Sequence, residues 1–322
     1  MDCRTHINEL LEYLDSKIIG QKLLNKRLLM ALLADGHLLV EGAPGLAKTR
    51  AIKALASGIE ADFHRIQFTP DLLPSDIVGT EIFRPQASDF VFRHGPVFHN
   101  LVLADEINRS PAKVQSALLE AMGERQVTVG DKSYELPPLF MVMATQNPIE
   151  HEGTYSLPEA QLDRFLMHVY IDYPDVEAET KILQLVQQEA SIGQKELAAP
   201  AKKMNQETLF AARTEVLGIH MQPAVEQYIV QLVMATRYPH KYDESLKSYL
   251  EYGASPRGTI ALCRLAKANA WLAGRDFVTP QDVQEVCGDA LRHRIGVSFE
   301  AEANGFKAHD IIKALLNAVV AP

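Results

Sequence analysis

The sequence is poor in the features that mark special classes of protein. Cysteine is scarce: Cys3, Cys263 and Cys287 are the three in 322 residues. Their number is odd, no Cys-x-x-Cys pair occurs, and none has zinc-finger spacing to histidine. A disulfide scaffold and a structural zinc site are thereby excluded, and inert thiols in a reducing compartment are expected. No run of 18 apolar residues exists; the most apolar N-terminal region, 23–40, is broken by Asn25, Lys26, Arg27, Asp35, Gly36 and His37. No membrane span is expected. The opening MDCRTHINELLEYL reads as an amphipathic helix rather than a signal peptide, so the chain is expected in the cytoplasm. Positive charge is not in excess: 32 Lys and Arg face 41 Asp and Glu, a formal charge of −9. That balance supplies no global reason to bind nucleic acid or anionic lipid and leaves only a local basic patch for such a role. Low-complexity tracts, internal repeats, and zinc, haem or flavin motifs are also missing. What remains is 47% hydrophobic and 23% charged, an ordinary globular composition long enough for two domains of about 150 residues each.

Residues up to about 175 alternate short apolar strands with helices. HLLVEG (37–42), FHRIQF (63–68), NLVLAD (100–105), LFMVMATQN (139–147) and MHVYIDY (167–173) read as strands; 47–58 and 111–124 read as helices. Strands apolar on both sides and separated by helices predict a parallel sheet covered on both faces. Residues 78–98 and 125–138 interrupt that alternation and read as inserted hairpins, the second turning at Gly130-Asp131. From Val176 the pattern becomes helical, over 176–188, 224–237, 255–274 and 279–296, with Ser255 and Thr279 as caps; residues 193–203 punctuate it. The chain is thus expected to divide into an α/β domain, 1–175, and a helical domain, 176–322.

The segment GAPGLAKT (42–49) follows a strand and opens a helix, the context a phosphate-binding loop requires. Backbone N–H groups and the helix N-terminus form an anion cradle there. Gly42 and Gly45 allow the tight turn, Lys48 brings a cation to the phosphates, and Thr49 offers a hydroxyl to Mg2+. The general pattern has glycine where Ala47 stands, and a methyl is acceptable there only if the position needs neither positive φ nor very close phosphate approach. The bland alternative is a Gly/Pro-rich connection with a chance Lys-Thr. LVLADE (101–106) ends a buried strand in two carboxylates: Asp105 is suited to Mg2+, and Glu106 to polarising a water. An acid-rich helix start is the alternative. In MVMATQNP (141–148), Asn147 either contacts the γ-phosphate or lytic water, or is a turn-forming Asn-Pro.

GAPGLAKT, LADEINRSPAKVQSALLEAMGERQVT, ATQNPIEHEGTYSLPEAQLDRFLM and GASPRG, in this order, resemble the MoxR family of AAA+ ATPases, and the likeness runs from IIGQ (18–21) to TPQDV (279–283). That family's own loop resembles G-x-P-G-x-A-K-T, which accommodates Ala47. The resemblance implies a P-loop α/β core with a parallel sheet and inserted hairpins, followed by an all-helical lid. It implies ATP and Mg2+ as ligands, with Ile18, Ile19 and Gly20 near the adenine. Gly42, Ala43, Pro44, Gly45, Leu46, Ala47, Lys48, Thr49 and Arg50 would lie along the nucleotide, with Thr49 and Asp105 at the metal. LPEAQLDRF (157–165) resembles the segment carrying an arginine finger, which makes Arg164 the candidate, acting in a neighbouring subunit of a homo-hexameric ring; a salt bridge to Asp163 or Glu159 is the alternative. SPRG (255–258) resembles the lid's sensor motif, with Arg257 facing the γ-phosphate or serving as an ordinary helix-start arginine. Arg109 is a weaker candidate for an inter-subunit contact.

The function implied is an ATP-driven chaperone or remodelling machine acting on partner proteins, in maturation or cofactor insertion, alongside a protein with a von Willebrand factor A domain. Phe83, Phe90 and Phe92 are equally suited to gripping a client and to core packing. A DNA-handling AAA+ ATPase is the rival, weakened by the net charge and by the few basic residues of the hairpins, Arg84, Arg93, Arg125 and Lys132. A motor subunit resembling that of magnesium chelatase ranks below it. A small-molecule P-loop kinase leaves the helical lid, Arg164 and Arg257 unexplained.

Overall fold

The computed structural model describes residues 2–86, 88–147, 154–192 and 203–322. Its elements run in the order α1 (Cys3–Lys17), α2 (Lys22–Leu33), β1 (Leu38–Glu41), α3 (Lys48–Gly58), β2 (Phe63–Gln67), α4 (Pro74–Val78), β3 (Gly79–Arg84), β4 (Asp89–His94), β5 (Leu101–Asp105), α5 (Ala112–Glu124), β6 (Gln126–Val129), β7 (Lys132–Glu135), β8 (Met141–Gln146), α6 (Glu159–Leu162), β9 (Met167–Tyr170) and α7 (Val176–Ile192). Then follow α8 (Gln206–Gly218), α9 (Pro223–Arg237), β10 (Leu250–Tyr252), α10 (Pro256–Leu272), α11 (Pro280–Leu291), β11 (Gly296–Val297), α12 (Phe299–Ala303) and α13 (Ala308–Ala318). Two compact units result: Met1–Leu29, His37–Arg164 and Val169–Leu209 in the first; Met30–Gly36, Phe165–His168 and Phe210–Pro322 in the second. The loop expected at 193–203 lies, as far as residue 202, outside the described residues.

The five expected strands form one sheet in the order β2-β5-β8-β1-β9. β1 runs parallel to β8, β8 to β5, and β5 to β2. The three inner strands are buried along almost their whole length, Leu38–Val40, Leu101–Ala104 and Met141–Ala144, which is why they read as continuous apolar runs. β2 lies at the edge and alternates: Ile66 is buried while Arg65 and Gln67 are exposed. Because these strands run parallel, the C-terminal ends of β1, β5 and β8 emerge at one edge, and the loop from Gly42, the acids Asp105 and Glu106, and Asn147 lie there.

Both interruptions of the alternation are antiparallel hairpins. β3 and β4 pair with Phe83 opposite Phe90. β6 and β7 turn through Gly130, whose φ is +60°. The hairpins touch through aromatic rings: Phe92 stacks on Tyr134 with centroids 4.0 Å apart, and His94 meets the same ring edge-on at 6.3 Å. Phe83 and Phe90 instead form an exposed cross-strand pair 5.1 Å apart. The gripping role is therefore open to these two, whereas Phe92 is half-buried in its stack.

In the second unit, Ser255 caps α10 by accepting the Arg257 N–H at 3.1 Å. Thr279 caps α11 in a reciprocal box with Asp282. Trp271 is fully buried and donates its indole N–H to Glu215 at 3.0 Å. The helix expected over 279–296 ends at Leu291, and the chain continues into β11, which pairs antiparallel with β10. The helical unit thus carries one short two-stranded ladder. Just before that ladder, buried Arg294 donates to the carbonyls of Phe165, Leu166 and Ala290. Beside it, His293 Nε2 lies 3.1 Å from the Phe165 carbonyl.

Candidate functional site

The loop 42–47 leaves β1, turns, and delivers Lys48 as the first residue of α3. Gly42 is held against Ile171: a Cβ would come 2.5 Å from Ile171 Cγ1 and 2.7 Å from its carbonyl oxygen. Gly45 has φ +85° with open space where a Cβ would project, so its backbone conformation is what calls for glycine. Ala47 has φ 57° and ψ 18°. The condition set for a methyl at this position, a φ that is not positive, is not met, and alanine occupies it nonetheless. The turn into α3 places its N-cap in the left-handed region, and the methyl stays there at a cost of about 1 kcal/mol.

The Lys48 ammonium donates to the Gly42 carbonyl at 2.7 Å and to the Gln146 carbonyl at 3.4 Å. It thereby bridges the loop to the end of β8. Burial pulls its pKa below the ordinary lysine value, while Asp105, then Glu106 and Glu41, pull the other way. These groups converge although they come from three different strands.

Asp105 is buried at the end of β5. Its Oδ1 accepts the Thr145 hydroxyl at 2.6 Å, and Thr145 Oγ1 in turn accepts the Glu106 N–H at 2.9 Å. Its Oδ2 accepts Arg65 Nη2 at 2.6 Å and Nε at 3.0 Å. Glu106 itself is left-handed, with φ 57° and ψ 50°, a conformation of the sort that gathers at working sites. Its carboxylate accepts from Gln67 Nε2 at 2.8 Å and pairs with Arg109 Nε at 3.2 Å. Arg109 thus lies against Glu106. Asn147, 7% exposed, follows the last residue of β8. Thr49 is the second residue of α3 and is half-buried.

A cavity of about 430 Å³ adjoins the loop. Ile18 and Ile19 line it together with Pro44 to Ala47 and Arg50, and Tyr173 and Ile182 line its far side. Gly20 is not among its lining residues; it turns the chain with φ +78° ahead of α2. Arg50 donates Nε to the Lys17 carbonyl at 3.1 Å, tying α3 to the segment that carries Ile18 and Ile19. The cavity combines apolar walls with an anion cradle at one end, which suits a flat ring joined to phosphates.

The two arginines assigned to catalysis have their own settings. Arg164 donates Nη1 to the Leu119 carbonyl of α5. Its guanidinium rests on Gly123, where a Cβ would lie 2.6 Å from Nη1. Arg257 is exposed at the first turn of α10 in the second unit. Among the described residues no three His, Cys, Asp or Glu side chains group closely enough to hold a metal ion. A divalent cation at Asp105 and Thr49 would therefore share its shell with phosphate oxygens and water, which is how magnesium is usually held.

Arg65, Gln67 and Thr145 belong to the site but do not stand out in the sequence. The available signals were the polar alternation of FHRIQF, which puts residues 65 and 67 on one side of β2, and a lone threonine in the apolar run MVMATQ.

A model of the ATPase family associated with various cellular activities (AAA) matches residues 37–167, and one of the AAA lid domain matches residues 244–315. The chain is 44% identical over 308 residues to Chaperone MoxR1 of Mycobacterium tuberculosis, across 95% of this chain and 79% of that protein. It is 41% identical over 321 residues to the uncharacterized protein YeaC of Bacillus subtilis, across 100% and 96% of the two chains. A solved structure from Cytophaga hutchinsonii is 46% identical and superposes with a TM-score of 0.91, covering 99% of this chain and 96% of that one. No described helix is long and apolar enough to cross a membrane.

Proposed function

The chain belongs to the MoxR family of AAA+ ATPases, and we propose that it hydrolyses ATP within a homo-hexameric ring and spends the cycle on remodelling partner proteins or complexes. The observation that carries this reading is the Lys48 ammonium. It bonds to the loop and to the end of β8, under the charge of the two strand-end carboxylates. A cation, a helix N-terminus and a pair of acids at one sheet edge are the parts that phosphoryl transfer to water needs.

The adenine lies between Ile18, Ile19 and the loop, with Gly20 turning the chain behind it. The N–H groups from Gly45 to Thr49 receive the phosphates, and Lys48 neutralises their charge. Thr49 and Asp105 would hold magnesium, which would supply further neutralisation of phosphate charge. Glu106 accepts the proton of the attacking water, and Asn147 fixes that water or the γ-phosphate. For Glu106 to act, its carboxylate leaves Gln67 and Arg109. Arg164 of a neighbouring protomer meets the charge that builds on the transferred group, a contribution worth about 10³–10⁵ in rate where such a finger operates. Arg257 carries the state of the γ-phosphate to the lid. The paired hairpins, with Phe83 and Phe90 exposed, carry the motion to a client, and a von Willebrand factor A-domain protein is the expected adaptor.

The test is steady-state ATP hydrolysis by the Glu106→Gln protein. The expected result is a loss of two orders of magnitude or more with nucleotide affinity retained, in line with removal of a general base worth about 10²–10⁴. A variant as fast as the parent would take Glu106 out of the mechanism.

A further inference from the structure

We propose that Arg65 is a resident counter-ion which a divalent cation must displace from Asp105, so that this arginine sets the metal affinity of the nucleotide site; the inference rests on the site assignment given above. Three observations carry it. Both oxygens of the Asp105 carboxylate are engaged, Oδ1 by the Thr145 hydroxyl and Oδ2 by two donors of one guanidinium at 2.6 and 3.0 Å. The guanidinium is oriented by a further bond, from Nη2 to Gln67 Oε1 at 2.8 Å. The Asp105 side chain is 12% exposed and that of Arg65 46%, so the acid is fixed while the base can swing into solvent. The grip is thus strong enough to occupy the carboxylate and open enough to release it.

The consequence is a competition. A metal ion, or water in its shell, needs the lone pairs and the negative charge that Arg65 now neutralises. Arg65 acts through Asp105 and is a positioning residue. Exposed ion pairs are weak, so removing this one should tighten cation binding only about two- to fivefold. The direction is what matters, because loss of a residue that served only to hold the fold, or that itself touched phosphate, would weaken binding.

Mn2+ reports the competition by electron paramagnetic resonance, which counts free ion in titrations of the full-length protein with a non-hydrolysable ATP analogue. Arg65→Met is expected to bind Mn2+ about two- to fivefold tighter than the parent, with analogue affinity in EDTA unchanged. Arg65→Lys, which keeps the charge but loses the two-donor grip, should fall between them and serves if the methionine variant does not fold. In an Arg65→Met/Asp105→Asn double variant the gain should vanish. Unchanged or weaker Mn2+ binding in both Arg65 variants overturns the proposal while leaving the site assignment intact. A parent protein that takes up neither analogue nor Mn2+ overturns both.

Discussion

Gly123→Ala separates the placement of Arg164 from the stability of the helix that carries it. Gly123 is the penultimate residue of α5 and is exposed. Adding a methyl to an exposed helical glycine stabilises by up to about 1 kcal/mol, and by less in a last turn. The same methyl would lie 2.6 Å from Arg164 Nη1 and 3.2 Å from Cζ. An ordinary contact is about 3.5–4.0 Å, so the guanidinium must retreat by about 1 Å and give up the Leu119 carbonyl. Water can take over that partly exposed bond, and its loss costs about 1 kcal/mol. The two terms nearly cancel. The variant should melt within about 3 °C of the parent in a thermal scan. Its ATP hydrolysis should nevertheless drop, because a misplacement of about 1 Å near a transferring group costs about 10²-fold. The assay is steady-state phosphate release at protein concentrations spanning ring assembly, beside Arg164→Ala and the double variant. If the methyl acts through the guanidinium, the double variant is no slower than Arg164→Ala alone. Undiminished turnover in Gly123→Ala would show that the seat on α5 is not the position from which Arg164 works.

Two further outcomes follow from buried titratable groups. Burial first, then the charges of Arg294 and His168, push the His293 pKa well below the ordinary histidine value. Between that depressed value and about 6.5 the unfolded chain binds a proton that the folded chain does not, so stability should fall with acidification below about pH 6.5, by at most about 1.4 kcal/mol per pH unit for this group. Urea titrations from pH 7.5 to 5.5 would measure the slope; His293→Phe should flatten it, and an equal slope in that variant would assign the effect elsewhere. Burial also pushes the Cys287 thiol up to about 12. Iodoacetamide at pH 8 should accordingly leave Cys287 unmodified in the folded protein and alkylate it in urea, as peptide mass mapping would record; native labelling of Cys287 would contradict its burial.

The strand-end chemistry was legible because two-sided burial and phosphate binding both leave short-range marks. Leu38–Val40, Leu101–Ala104 and Met141–Ala144 had to be apolar to lie inside a covered sheet, and the polar residues that end each run had to lie together once the strands were parallel. That reasoning put Asp105, Glu106 and Asn147 at strand ends on one sheet edge, while Lys48 was picked out by the GAPGLAKT loop. Arg65 escaped because its partner is 40 residues away in the chain and one strand over: Arg65 sits opposite Leu103 in the ladder, and only a long side chain along the sheet edge reaches Asp105. The left-handed backbone of Ala47 left no mark in the sequence, because it is set by the turn into α3 and not by alanine's own preference. α8 escaped because QETLFAARTEVLG mixes small and polar residues without a continuous apolar stripe, whereas α13 carries a clear stripe, with Ile311, Ile312 and Leu315 buried on one face, which reading the pattern only as far as residue 296 passed over.

The residues that escaped share a function in the geometry. Arg65, Gln67 and Thr145 touch the carboxylates and lie beside the phosphate loop rather than in it. Lys48 and the helix N-terminus create a field that any polyphosphate satisfies. The side chains from β2 and β8 decide how firmly Asp105 and Glu106 are held before anything binds: each acid is met by a different residue of the same strand face, Arg65 for one and Gln67 for the other, and these two residues are bonded to each other. If a cation drew Arg65 away from Asp105, it would also remove the donor that steadies Gln67 against Glu106. Loading one carboxylate would then loosen the other through two side chains on an edge strand, and neither side chain carries a motif.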